Sequence, residues 1–129
     1  MIDANTFQTL THPIPAIAVL VGSQALGTAT EHSDWDIAIW WLDEEDAWKN
    51  LGKTETLRRS LAKALQTSED KIDLIDIQQA GLAMREKIAN EGQLIYTNKP
   101  LVWMKFLTRT WWEVEQFYWE KQHNTYTYW

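Results

Sequence analysis

The stretch Gly22–Asp36, GSQALGTATEHSDWD, lies between two apolar runs, and its reading decides the fold. Upstream, Ile14–Val21 (IPAIAVLV) is continuous in the manner of a buried strand that ends at Gly22. Downstream, Asp34–Trp41 alternates: Trp35, Ile37, Ile39 and Trp41 share one face, while Asp34, Asp36 and Ala38 share the other. A period of two is a strand signal. Between the strands, Ser23–Gly27 opens a short helix and Thr28–Ser33 forms a polar loop. Asp34 and Asp36 therefore stand side by side, and at ~6 Å with an effective dielectric of ~20 their repulsion is roughly 3 kcal/mol. Asp is also a poor strand former. Either this is a solvated edge strand whose charges discourage aggregation, or the pair accepts a divalent cation. A donor set of oxygens, with no Cys in the chain and no His on that face, favours Mg2+ or Mn2+ over zinc.

Working outward, Lys71–Ile77 (KIDLIDI) alternates again, with Ile72 and Leu74 opposed to Asp73 and Ile75. Asp73 has the parity to join the aspartate pair if this strand lies alongside, and three such carboxylates can hold metal ions for phosphoryl chemistry. Asp76 competes for that third place but has the opposite parity, which also fits a strand-end charge facing solvent. At the exit of the first strand, the amides after Gly22 and the Ser23 hydroxyl lie where free N–H groups bind phosphate. Ser23 reads equally as a simple helix N-cap.

The remaining elements are helical. The acidic turn LDEED leads into a helix start around Asp43–Asn50, and Thr54–Leu65 shows helical spacing in Leu57, Leu61 and Leu65, with Thr54-Glu55-Thr56 supplying capping residues. Gln78–Asn90 reads as a helix stopped by Glu91-Gly92, Gln93–Tyr96 as a short extended piece, and Leu101 to about Gln122 as an aromatic-rich helix. No repeat, linker or low-complexity tract interrupts them. The order, roughly β-α-β-α-β-α-α, predicts an α/β (α+β) domain: a small mixed β-sheet flanked by helices. A chain of 129 residues is expected to be a single domain, with its core at about 15–97 and a C-terminal helix at about 100–122.

Composition narrows the function. With no cysteine, disulfide scaffolds, thiol catalysis and cysteine-based zinc sites are excluded. The longest apolar run is far shorter than a membrane span, and no Lys or Arg precedes Lys49, as a secretory signal would require. The expectation is a soluble, cytoplasmic protein away from membranes. Net charge is −6 with all 12 basic residues from Lys49 onward, a poor match to direct nucleic-acid binding, which rests on phosphate neutralisation.

Gly22, Ser23, Ala25, Gly27, Ser33, Asp34 and Asp36 together spell G-S-x-A-x-G-x(5)-S-D-x-D. This pattern, continued through KIDLIDI and GQLIY, resembles the minimal nucleotidyltransferase (MNT) antitoxins of the DNA polymerase β superfamily, which act beside HEPN ribonuclease toxins. The likeness covers about residues 15–97. It implies a nucleotidyltransferase fold in which Gly22 and Ser23 hold nucleotide phosphates, and Asp34, Asp36 and Asp73 coordinate the Mg2+ that accompanies ATP. Asp73 would also help to deprotonate the attacking hydroxyl. One position departs from the pattern: many members carry Arg where this chain has Leu26. No local cation then faces the triphosphate, so metal and backbone amides carry most of its neutralisation, helped by Arg85, Lys87 or a partner. His32 is the one other candidate in the loop, and a solvent-exposed His fits there equally.

The chain has nine tryptophans, five of them between Trp103 and Trp129. Trp103, Phe106, Leu107, Val114, Phe117 and Tyr118 follow one helical face that should pack on the sheet, while Trp111, Trp112 and Trp119 spread around the helix. Surplus exposed aromatics mark interfaces, and the cognate HEPN toxin is the partner that the resemblance implies. The functional expectation is a type VII-like antitoxin that transfers AMP from ATP to a hydroxyl of that toxin, a tyrosine first. Two alternatives stand beside it: a non-catalytic antitoxin that blocks the toxin by binding, and a nucleotidyltransferase with a small-molecule acceptor.

Overall fold

The computed structural model describes residues 2–10, 13–42 and 46–124. Strands β1 (Ile17–Val21), β2 (Trp35–Trp40), β3 (Ile72–Asp76) and β4 (Gln93–Thr97) form one sheet in the order β3-β2-β1-β4. β1 pairs antiparallel with both neighbours, and β2 pairs parallel with β3. All five β1 residues are buried, as a continuous apolar run in a central strand requires. The mixed sheet flanked by helices is the expected architecture. Gln93–Tyr96, expected as an extended piece, lies in β4 (Gln93–Thr97), the edge strand beside β1.

Alternation sorts the strand residues to the two faces as predicted. Ile37, Ile39, Trp41 and Ile72 pack with Leu57 and Leu61 of α3 (Ala47–Ala64) and with Phe7 of α1 (Ala4–Gln8). Val19, Val21, Ala38 and Ile77 pack with Ile88 of α4 (Leu82–Glu91) and Phe106 of α5 (Pro100–Asn124). The 18-residue helix α3 carries the chain from β2 to the parallel strand β3, the crossover that parallel pairing demands. The five-residue helix α2 (Gly22–Leu26) ends at Gly27, whose φ of +75° is the left-handed cap that glycine adopts without a Cβ penalty.

Three local expectations need correction. Helix α3 starts at Ala47, within the expected start at Asp43–Asn50, and runs unbroken through the segment expected to be capped at Thr54; its own cap is the Asp46 carboxylate, which accepts from the Lys49 amide at 2.8 Å. Thr54 is therefore interior: its hydroxyl donates to the Asn50 carbonyl and accepts from the Trp41 indole. Of the expected helix start, Asp43–Glu45 lie outside the described residues. Next, Gln78–Asn90 is not one helix. Asp76 caps a 3-10 turn at Ile77–Gln79, and α4 begins only after Gly81. The helix α1 was not expected, although its capping box was legible: Asp3 and Thr6 each accept the other's backbone amide.

Helix α5 packs on the sheet with its first half alone. Phe106 and Thr110 are buried and Val102, Trp103 and Leu107 partly so, but Phe117 and Tyr118 are exposed, contrary to the face expected to pack. Beyond Thr110 the helix outruns the sheet it lies on. Trp112, Phe117 and Trp119 are 60%, 50% and 56% exposed. The last residues of the aromatic tail, Thr125–Trp129, lie outside the described residues. Among the described residues no helix is long and apolar enough to cross a membrane.

Candidate active site

Asp36 and Asp73 are cross-strand partners on parallel strands. Neighbouring strands run about 4.8 Å apart, so side chains of matched parity on β2 and β3 stand against each other. Asp36 has its pKa raised, first by burial, then by the charges of Asp73 and Asp34. Lys87, on α4, is the cation whose charge offsets this. Asp34 immediately precedes β2 and is exposed at the mouth of the same face.

The backbone closes on this cluster from the other side. Val21 pairs with Asp36, and the next residue, Gly22, takes a φ of +72°. A Cβ there would collide with Oδ2 of Asp36. Gly22 is thus required twice, by its conformation and by the carboxylate against its backbone. Ser23 follows on the first turn of α2, where its carbonyl accepts from the amides of Gly27 and Thr28. Gln93 of β4 donates to the Ala25 carbonyl at 2.6 Å and anchors the far end of that helix. Ser33 closes the loop before β2: its hydroxyl accepts from the Thr30 amide at 2.8 Å. His32 is exposed, with the Glu31 carboxylate 3.6 Å from its ring.

Of the sequence candidates, the fold brings Gly22, Asp36 and Asp73 together, with Asp34 at their edge. Asp76 is set apart. It faces the opposite side of the sheet, and its carboxylate accepts from the Gln78 amide at 3.0 Å. The two candidate cations also part company. Lys87 acts on Asp36, whereas Arg85 donates to Glu113 of α5. Leu26, in place of the arginine, is half-exposed.

As they stand, the described residues include no group of three His, Cys, Asp or Glu side chains arranged to hold a metal ion. The donor chemistry nevertheless fits one. Asp36 and Asp73 are hard oxygen donors held in contact by the sheet register, and their like charges are compensated only in part by Lys87. Such an arrangement, a strand-exit glycine against paired strand carboxylates, can hold a divalent metal ion beside the phosphates of a nucleotide.

Residues 5–101, about three quarters of the chain, match the family described as Polymerase beta, Nucleotidyltransferase, and the chain belongs to that family. It is 27% identical over 89 residues to the protein adenylyltransferase MntA of Aphanizomenon flos-aquae (strain 2012/KM1/D3). That match covers 65% of this chain and spans 58% of the relative's length. The fold is similar to a chain of a toxin–antitoxin crystal structure with AMP-PNP, with a TM-score of 0.67 at 22% identity, covering 94% of this chain and 90% of that one. It is also similar to a chain in the structure of tri-AMPylated Shewanella oneidensis HEPN toxin in complex with MNT antitoxin, with a TM-score of 0.57 at 21% identity, covering 88% and 82%.

Proposed function

We propose that this chain is a Mg2+-dependent protein adenylyltransferase and the antitoxin of a type VII-like HEPN/MNT pair. It moves AMP from ATP to a hydroxyl, a tyrosine first, of its cognate HEPN ribonuclease toxin and thereby neutralises it. The observation that carries this reading is the Asp36–Asp73 pair closed against the Gly22 backbone, in a chain of the nucleotidyltransferase family. The activity of the MntA relative and the AMPylated toxin of the Shewanella complex support the choice of AMP and of a toxin acceptor. Residues 1–129 form one minimal nucleotidyltransferase domain, and its action is cytoplasmic.

Asp34, Asp36 and Asp73 would hold Mg2+, or Mn2+, which when bound supplies charge neutralisation to the phosphates and lowers the pKa of a coordinated hydroxyl. Gly22 and Ser23 present backbone N–H groups and a hydroxyl to the same phosphates. Lys87 adds a positive charge near Asp36, where Leu26 supplies none. Asp73 accepts the proton of the acceptor hydroxyl as its oxygen attacks the α-phosphorus in line. The bond from that phosphorus to the bridging oxygen breaks, and pyrophosphate leaves with the electron pair. Most of the acceleration comes from positioning and from fixed charge around the phosphates.

The exposed aromatics of α5 favour partner docking through that helix, which a purely steric antitoxin would share. One experiment separates the two. The protein is incubated with labelled ATP, Mg2+ and its co-purifying partner, and the partner is weighed by mass spectrometry. An AMP-sized gain on the partner, absent with Asp34→Ala/Asp36→Ala, is expected. Tight inhibitory binding with no gain in mass would overturn catalysis and leave the steric antitoxin. Label appearing on a small molecule would instead overturn the protein acceptor.

A further inference from the structure

A second concavity lies on the same face of the sheet as the carboxylates but at its other end. It has a volume of about 550 Å3 and sits between α4, the first half of α5 and the ends of β2 and β3. That size is typical of small-molecule sites. Its wall includes Trp40, four residues along β2 from Asp36, so the cavity is roughly 13 Å from the carboxylate cluster. The fully buried Ala38 fills the sheet face between them.

The lining has a definite chemical bias. Ten residues line the cavity and none is acidic, whereas Arg85, Lys105 and Arg109 all are basic. This is unexpected in a chain of net charge −6. Glu113 is not in the lining. It accepts from Arg85 Nη1 and from Arg109 Nε at 3.0 Å, and so fixes both guanidiniums from behind. Each guanidinium carries five N–H donors, which leaves several for a carboxylate or phosphate. Taking these three bases with Glu113, the local charge is still positive. The floor is apolar and aromatic, with Trp40 and Phe106 in edge contact at 6.3 Å. Independently, Thr110 lines the cavity, is only 1% exposed, and its hydroxyl has no hydrogen-bond partner among the described residues. A buried hydroxyl without a partner is costly, and a ligand oxygen would supply one.

We propose that this cavity binds a small organic anion: an aromatic body against Trp40 and Phe106, and a phosphate or carboxylate head held by Arg109, Lys105 and the Thr110 hydroxyl. It is a binding site separate from the carboxylate face, and it does not depend on the transfer reaction proposed above. Two of its cations, Arg85 and Arg109, are engaged by Glu113, whereas Lys87 is the base whose charge offsets Asp36.

Isothermal titration calorimetry of the full chain tests this with phenyl phosphate, phenylacetate and inorganic phosphate as probes. At least one aromatic anion is expected to bind saturably, about tenfold or more tighter than inorganic phosphate. The preferred head group identifies phosphate or carboxylate as the recognised oxyanion. Lys105 and Arg109 are exposed, so Lys105→Ala/Arg109→Ala keeps the fold and is expected to weaken binding about tenfold or more. Thr110→Val keeps the side-chain shape; it should weaken binding without lowering the melting temperature, because the hydroxyl it removes has no partner among the described residues. Asp36→Asn should leave the affinity unchanged. The proposal is overturned if neither aromatic anion binds saturably at millimolar concentration, or if binding survives the double replacement. Loss of binding in Asp36→Asn would also overturn it, by assigning the probe to the carboxylate face.

Discussion

Gly22 and Asp36 meet across the β1–β2 pair so closely that the glycine's missing Cβ is the space taken by the aspartate's Oδ2. The turn at Gly22 and the carboxylate cluster are therefore one packed unit. Gly22→Ala adds left-handed strain and a clash, and should destabilise the protein by roughly 2–4 kcal/mol. Urea denaturation measures this. A stability equal to that of the native chain would show that the turn yields without cost.

Asp36 ionises against its surroundings, because burial and the charges of Asp73 and Asp34 all raise its pKa. A raised carboxyl pKa means that the folded state holds its proton longer than the unfolded chain does. Stability then falls as pH rises from the ordinary aspartate value of 3.8 through the higher folded value. In EDTA, Asp36→Asn should be more stable than the native protein at pH 7, with the gain vanishing below the ordinary aspartate range. The same variant should lose transfer activity about a hundredfold or more. Thermal melts across pH check the first part. A variant less stable than the native chain at neutral pH would contradict it.

ATP affinity should depend steeply on divalent metal, since Leu26 leaves the turn without its own cation. Removal of metal with EDTA should weaken binding by about tenfold or more, and Lys87→Ala should weaken what remains. Fluorescence titration with a labelled ATP analogue reads both. Undiminished binding in excess EDTA would rule out metal as the main phosphate partner.

Glu113 works in the opposite sense to Asp36. Hydrogen bonds from Arg85 and then Arg109 hold its carboxyl below the ordinary value of 4.5. Its stabilisation is complete above that value and is lost as pH falls through the lower folded value. Glu113→Gln should therefore cost about 1 kcal/mol or less at pH 7, with the difference shrinking in acid. Melting curves at neutral and acidic pH make the comparison, and a cost that grows in acid would be the wrong sign.

Along α5, burial divides the aromatics into two roles. Phe106→Ala removes a buried ring and should cost about 3–5 kcal/mol of stability. Trp112→Ala should leave the melting temperature nearly unchanged and weaken association with the partner about tenfold or more. Calorimetric unfolding and a partner pull-down titration separate the effects. Partner affinity indifferent to Trp112 and to Phe117 would move the docking surface elsewhere.

Much of the candidate site was legible because strands carry a simple code. Parity alone placed Asp34, Asp36 and Asp73 on one face and Asp76 on the other, and the sheet register agrees for Asp36, Asp73 and Asp76. Helix boundaries were less legible. The spacing of Leu57, Leu61 and Leu65 marked a helix, but the Asp46 cap lies eight residues before the Thr54 that resembled one. On α5, periodicity grouped Phe106 with Phe117 and Tyr118, yet the sheet is too short to cover all three.

The sequence by itself determined what depends on neighbours along the chain: strand alternation, the glycine at the strand exit, the aspartate pair and the aromatic bias of the last helix. Only the tertiary structure decided that Asp36 faces Asp73 directly, that Lys87 rather than Arg85 serves the carboxylates, and that Arg85, Lys105, Arg109 and Thr110 enclose a cavity. These residues come from different elements: β2, β3, α4 and α5. Their meeting is set by sheet order and helix packing, which no local period records.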